Sequence, residues 1–260
     1  MLKLPKYDRI TILLFRELTK GFNATTLPNI IPFSKEKVVD VMSKAVKDGI
    51  IDKAVKNVAD IKYTYDARRD LPLEVEQAGR LVWLGTKKGH YKFERASRRN
   101  LIDLPINPAA PPVVEHVMDQ TPPSIARLLG NDEQAAFTRV RNAGILTTFI
   151  GFHVWPIQGH QRTSVSYGQV EIDEVHAGLA PGRKLTVVPV SGKGGQDKLS
   201  FSQALSLNTF GAEKFRKHNV AVRSLGLWRD KAGHIWLIEF SPETDIHQIR
   251  IIQVRRFEIT

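Results

Sequence analysis

The chain has 260 residues, 42% hydrophobic and 25% charged, enough for one large domain or two ordinary ones with a sizeable core. It has no cysteine, which excludes disulfides and thiolate zinc sites, and its longest early apolar run, residues 10–15, is too short for a membrane span. The net charge is +11 and unevenly spread: residues 1–112 hold 21 Lys/Arg against 13 Asp/Glu, and residues 113–260 hold 17 against 14. A basic first half favours nucleic acid or an anionic surface as partner, and a cytoplasmic, non-membrane protein is expected.

Residues 7–20 place Ile10, Leu13, Leu14 and Leu18 at helical spacing, with Gly21 as the stop. Pro28 and Pro32 predict a loop. Ser34 then caps a helix whose apolar positions are Val38, Val41, Met42, Ala45 and Val46, ended by Gly49. Leu81-Val82-Trp83-Leu84 and His90-Tyr91-Lys92-Phe93-Glu94 read as strands around Thr86-Lys87-Lys88-Gly89, a basic hairpin. Helices followed by such a hairpin are the order of a winged-helix-like module, so residues 1–105 are expected to be a basic DNA-recognition domain, with Lys87, Lys88 and Lys92 on phosphates. Residues 104–123 contain six of the fourteen prolines, which predicts a linker over 106–125.

The remainder, 126–260, alternates regularly. A helix capped by Asn131 runs to about Ile145, with Asp132 and Glu133 in its first turn, where the helix dipole favours acids. Strands follow at 152–166 (broken by Gly159), 169–176 and 185–191, then a helix from Ser200 to about His218. Three more strands lie at 221–227, 235–240 and 249–257. The fold class is therefore α/β or α+β, one mixed sheet flanked by helices.

The chemistry concentrates in two strand ends. Gly168-Gln169-Val170-Glu171-Ile172-Asp173-Glu174 closes on three carboxylates, and Val187-Val188-Pro189-Val190-Ser191-Gly192-Lys193-Gly194-Gly195 on a lysine and two glycines. Alternation puts Glu171 and Asp173 on one face and Glu174 on the other, and likewise pairs Ser191 with Lys193. If the strands are neighbours, Asp173 and Lys193 meet. Carboxylates there suit a Mg²⁺ or Mn²⁺ ion, which accepts one or two of them and a substrate phosphate, and a lysine can stabilise developing charge. The same residues also fit a plain solvated strand end. His160 and Arg162, just upstream, are candidates for phosphate contacts.

The order of elements, with Asp173 on one strand and Ser191-Gly192-Lys193 on the next, resembles the PD-(D/E)XK nuclease superfamily. More narrowly, Asn131-Asp132-Glu133-Gln134-Ala135, His160-Gln161-Arg162-Thr163, Gly168-Gln169-Val170-Glu171-Ile172-Asp173-Glu174 and Lys193-Gly194-Gly195-Gln196-Asp197-Lys198-Leu199-Ser200 resemble a bacterial endonuclease family over roughly residues 130–205. The resemblance implies a restriction-endonuclease-like fold and a metal-dependent DNA endonuclease, with a restriction or defence role acting on double-stranded DNA. It makes Asp173 the metal-binding aspartate and Lys193 the catalytic lysine, adds Glu133 from the preceding helix, and turns Gln203 toward the site. A symmetric homodimer is implied for a palindromic target. Ser191 departs from the pattern, which has Glu or Asp there, so a second carboxylate is expected from Glu171, Glu174 or Glu133. A non-catalytic DNA-binding protein on the same scaffold is the alternative.

Overall fold

In a computed structural model the described residues are 4–23, 25–104, 112–130, 132–215 and 219–260, with the side chain of Glu133 outside them. The chain divides into two units, residues 1–101 with 166–169, and residues 102–165 with 170–260. Asn131 and His218, read as a cap and a helix end, lie outside the described residues.

The first unit contains α1 (Lys6–Leu18), β1 (Ile30–Ser34), α2 (Lys35–Lys47), α3 (Val58–Ala67), α4 (Leu73–Gly79), β2 (Leu81–Lys87) and β3 (His90–Arg95). Ser34 caps α2 as expected, its hydroxyl accepting from the Lys37 amide at 3.3 Å. The sheet order is β1-β3-β2, antiparallel throughout. Pro32 sits in β1 rather than in a loop. β1 is an edge strand, where a missing N–H on the unpaired side costs no ladder bond. The core gathers Phe33, Trp83 and Phe93 under α1 and α2, with centroids 4.9 Å apart for Phe33–Phe93 and 5.2 Å for Trp83–Phe93. Each such pair contributes about 0.5–1.5 kcal/mol beyond burial.

The second unit starts with β4 (Val114–Val117), α5 (Pro123–Ala126), α6 (Glu133–Asn142) and α7 (Ile145–Ile150). The stretch predicted as linker is in part a strand, since β4 pairs in parallel with the last strand of the sheet. The single helix expected to about Ile145 is two helices, because Gly144 takes a left-handed φ of 66° between them. Then come β5 (Val154–Gln158), β6 (Gln161–Val165), β7 (Gly168–Ile172), β8 (Glu174–Ala180), β9 (Lys184–Gly194), α8 (Phe201–Phe215), β10 (Ala221–Val222), β11 (Ser224–Arg229), β12 (Ile235–Phe240) and β13 (Ile251–Ile259).

The main sheet runs β4-β13-β12-β11-β9-β8-β5, and β10 also pairs with β9, giving eight strands. It is mixed: β9 runs parallel to β11, joined through α8, and antiparallel to β8. The expected α+β architecture with a mixed sheet flanked by helices is what the chain adopts. Val188, Val190, Leu225, Leu227 and Leu237 bury one face against Phe137, Val140, Ile145 and Phe149 of α6 and α7. Fully burying each such side chain stabilises by about 1.5–3 kcal/mol. The helix α8 packs against β9, β10 and β11. Among the described residues no helix is long and apolar enough to cross a membrane.

Candidate active site

Asp173 lies at a bend where the chain leaves the β6–β7 hairpin and enters β8. Its backbone N–H still donates to Val190 O at 3.1 Å, so the bend is tied to β9. Asp173 Oδ2 accepts the Gly192 N–H at 2.8 Å and the Ser191 hydroxyl at 3.1 Å. Two donors on one oxygen fix the carboxylate's direction. Ser191 and Lys193 occupy alternate positions of β9, so one strand presents the residue that holds Asp173 and the lysine beyond it. Lys193 is only 8% exposed, an uncommon place for a solvated surface cation.

Gly192 has a steric reason to be glycine. A Cβ there would stand 2.6 Å from the Phe137 ring, because α6 rests directly on this end of β9. The residue between Ser191 and Lys193 thus sets how closely the helix approaches the site.

Glu171 shares Asp173's face, as alternation predicts. It is exposed and joined to His160 Nε2 at 3.0 Å and Arg162 at 3.3 Å, while His160 Nδ1 lies 3.8 Å from Asp173 Oδ1. His160 therefore stands between the two carboxylates, an acidic contact that the phosphate reading of this histidine did not anticipate. Glu174 is different. It faces the other way and is buried, bound to His176 at 2.7 Å with Arg141 of α6 at 3.6 Å. That pairing makes it a fastener between β8 and α6 rather than a ligand beside Asp173.

Gln203 is also spent on structure. Its Oε1 accepts the Ser200 N–H at 3.1 Å, while Ser200 Oγ accepts the Gln203 N–H at 3.3 Å, a reciprocal cap of α8. In the first unit Lys87 and Lys88 are exposed at the hairpin, but Lys92 is half-buried and ion-paired with Glu94. Its charge is therefore offset. Asp132 caps α6 by accepting from Ala135 N at 2.9 Å.

Sequence reasoning missed the turn between β11 and β12. Arg229, Asp230, Lys231, Ala232 and Gly233 join Asp132, Gln134, Phe137, Lys193 and Gly194 around a cleft of about 760 Å³. Asp230 is committed to the turn, accepting the His234 amide at 2.9 Å and the Trp236 indole at 2.9 Å. Burial pushes its carboxyl up, but the bonds from Trp236 and His234 outweigh that and hold it below the ordinary carboxylate range. The signal in the sequence was the Arg-Asp-Lys-Ala-Gly run, which reads as an ordinary polar turn until the parallel pairing of Arg229 with Gly194 brings it beside Lys193.

A magnesium-like ion takes oxygen ligands and commonly needs only one or two carboxylates, with waters and substrate phosphate completing the shell. Among the described residues no three His, Asp or Glu side chains converge as a cage. Oriented Asp173, with Glu171 on its face, fits the sparser mode and not a closed protein-only site. Compared with known protein families, with curated proteins and with solved structures, the chain matches none.

Proposed function

We propose that the protein is a metal-dependent DNA endonuclease of the restriction-endonuclease-like kind, with its chemistry at Asp173 and Lys193. The observation that carries this is the pair of hydrogen bonds from Ser191 and Gly192 to Asp173 Oδ2. They join the aspartate of one strand to the lysine strand beside it, as the resemblance to PD-(D/E)XK nucleases requires. The reading also draws support from the connectivity: helix, then β5, β8 and β9 antiparallel in turn, a crossover through α8, and β11 parallel to β9.

Asp173, with Glu171, would hold the cation. When bound, that ion polarises the phosphate and makes a nucleophile of its water. The chain's own contribution is orientation and charge. Gly192 and Ser191 hold the Asp173 carboxylate in one direction, so no reorganisation is needed as the reaction proceeds. Lys193, largely withdrawn from water, offsets negative charge that grows on the phosphate oxygens, and its effect is stronger there than on a solvated surface.

The first unit is read as a winged-helix-like DNA-binding module. Its elements run α1, β1, α2, α3, α4, β2, β3, with β1 joined to the β2–β3 hairpin in one sheet, and Lys87 and Lys88 stand exposed at the hairpin. A symmetric dimer is the assembly that would cut both strands of a palindrome. The second reading, DNA binding without cleavage, is favoured by one observation: Ser191 donates to Asp173 where the family pattern supplies a second acid.

Supercoiled plasmid incubated with the purified protein in Mg²⁺ or Mn²⁺ separates the two. Nicked or linear product that disappears in EDTA supports the nuclease. Retention of DNA with no product in either metal supports the scaffold reading.

A further inference from the structure

Gly226 shapes a second cavity, on the sheet face opposite the one where Gly192 meets α6. In the β9–β11 register Gly226 lies beside Ser191 and Trp228 beside Lys193, and in the β11–β12 register Ile238 lies beside Gly226. Residues paired or two apart on these strands share a face, so Ser191, Lys193, Trp228 and Ile238 stand together. A Cβ at Gly226 would meet the Leu199 side chain at 2.6 Å, so Leu199 rests directly on β11. Ile102 is tied alongside, its N–H donating to Leu199 O at 2.9 Å.

The cavity between them is about 230 Å³ and lies wholly within the second unit. Pockets for drug-sized ligands begin at about 300 Å³, so this one suits a single heterocycle. Ile102, Leu104, Leu199 and Ile238 supply aliphatic walls, and Trp228 adds an indole. The Trp228 indole N–H has no partner among the described residues, whereas that of Trp236 donates to Asp230 at 2.9 Å. Packing alone holds the Trp228 ring, and a second ring stacked on it would add to that packing.

The other lining residues are Asp103 and Lys198, which pair at 3.0 Å with both side chains about half exposed. Such a pair adds little stability, but it sets an acceptor beside a donor. A nucleobase matches this combination, with apolar faces for stacking and an edge of adjacent donors and acceptors.

We infer that this cavity receives one unstacked nucleobase, stacked on Trp228 and recognised at its edge by Asp103 and Lys198. It belongs to the strand whose phosphate lies at Lys193, since Trp228 and Lys193 are neighbours on strands about 4.8 Å apart. This rests on the nuclease reading and adds to it a site where a base is recognised.

The test is titration of the four 2′-deoxynucleoside 5′-monophosphates into the full-length ¹⁵N-labelled protein in EDTA. The indole signal of Trp228 and the amide of Leu199 are followed. At least one nucleotide should give saturable shifts at both, and 2-deoxyribose 5-phosphate, which lacks a base, should give none. Trp228→Leu, followed at Leu199, should weaken binding about tenfold, the loss expected for one base–aromatic stack. Because that variant also removes a partly buried ring, Asp103→Asn with Lys198→Met is the second variant. Its melting temperature should hardly change, while the ranking of the four nucleotides should. Absence of shifts with all four nucleotides would overturn the pocket. Equal shifts from the sugar phosphate would mark a free-anion site, and equal shifts from indole a plain apolar cavity; either overturns the inference. So would an unchanged ranking and affinity in the double variant. The nuclease reading fails separately: a protein that binds a nucleotide here but never cleaves keeps the pocket and loses the activity. Metal-dependent cleavage with no nucleotide shifts at Trp228 or Leu199 does the reverse.

Discussion

The Gly192 N–H donates to Asp173 Oδ2 at 2.8 Å, so the backbone of the lysine strand grips the aspartate of the next strand. The interaction exists because β8 and β9 are antiparallel neighbours and because the chain bends at Asp173 without losing its ladder bond to Val190. Its position depends on α6 as much as on the sheet, through Phe137 against Gly192.

That dependence predicts a steric phenotype. Gly192→Ala should destabilise the protein by about 1–3 kcal/mol, the usual range for overpacking a filled site. Phe137→Leu in the same chain should recover part of the loss, since the ring is what the new methyl meets. Thermal melts of the two single variants and the double variant give the coupling. Strict additivity would show that Phe137 does not set the strand–helix distance.

Glu171 and Glu174 are neighbours in sequence with opposite jobs. Glu174→Gln leaves buried His176 and the exposed Arg141 without their carboxylate and should cost about 2–4 kcal/mol, most of it at His176. Glu171→Gln touches an exposed pair and should change stability by less than about 0.5 kcal/mol. Activity per folded molecule should rank the other way, with Glu171→Gln the more impaired. Denaturant melts beside cleavage rates measure both, and a destabilised Glu171→Gln with normal Glu174→Gln stability contradicts the assignment.

The basic hairpin carries a salt prediction. Replacing Lys87 and Lys88 with Gln should flatten the log–log salt dependence of DNA binding by about one to two, roughly one for each phosphate that is no longer neutralised. Lys92→Gln should change the slope little, because Glu94 already neutralises Lys92. Fluorescence anisotropy over a salt series tests this. An unchanged slope in the Lys87/Lys88 variant removes the hairpin from the interface.

Much of this organisation was legible in the chain itself. The hairpin of β2 and β3 is written in the apolar run Leu81 to Leu84 and the alternating Tyr91 and Phe93 around Lys87-Lys88-Gly89, and the Ser34 cap in a polar residue before an amphipathic run. The opposed faces of Glu171 and Glu174 follow from a period of two, which survives the bend at Asp173. What escaped were features decided by distant partners. β4 looks like proline-rich linker because only its parallel pairing with β13 makes it a strand. Pro32 is compatible with a strand only because β1 lies at an edge. Gln203 is expected to turn toward the site, and its bond from the Ser200 N–H makes it part of a helix cap instead. The turn at residues 229–233 comes beside the end of β9 solely through the β9–β11 pairing, which spans a whole crossover helix.

The central claim is that Asp173 and Lys193 act on the reaction and not on the fold. Its most direct test is the single-turnover cleavage rate of Asp173→Asn and Lys193→Ala at saturating Mg²⁺ or Mn²⁺, beside their DNA affinity and melting temperature. Asn keeps the shape and can still accept from Gly192, so folding and binding should be largely preserved. Each rate should fall on the order of 10²- to 10³-fold, as when one preorganised electrostatic group is removed. An Asp173→Asn protein that cleaves at the wild-type rate would contradict the account.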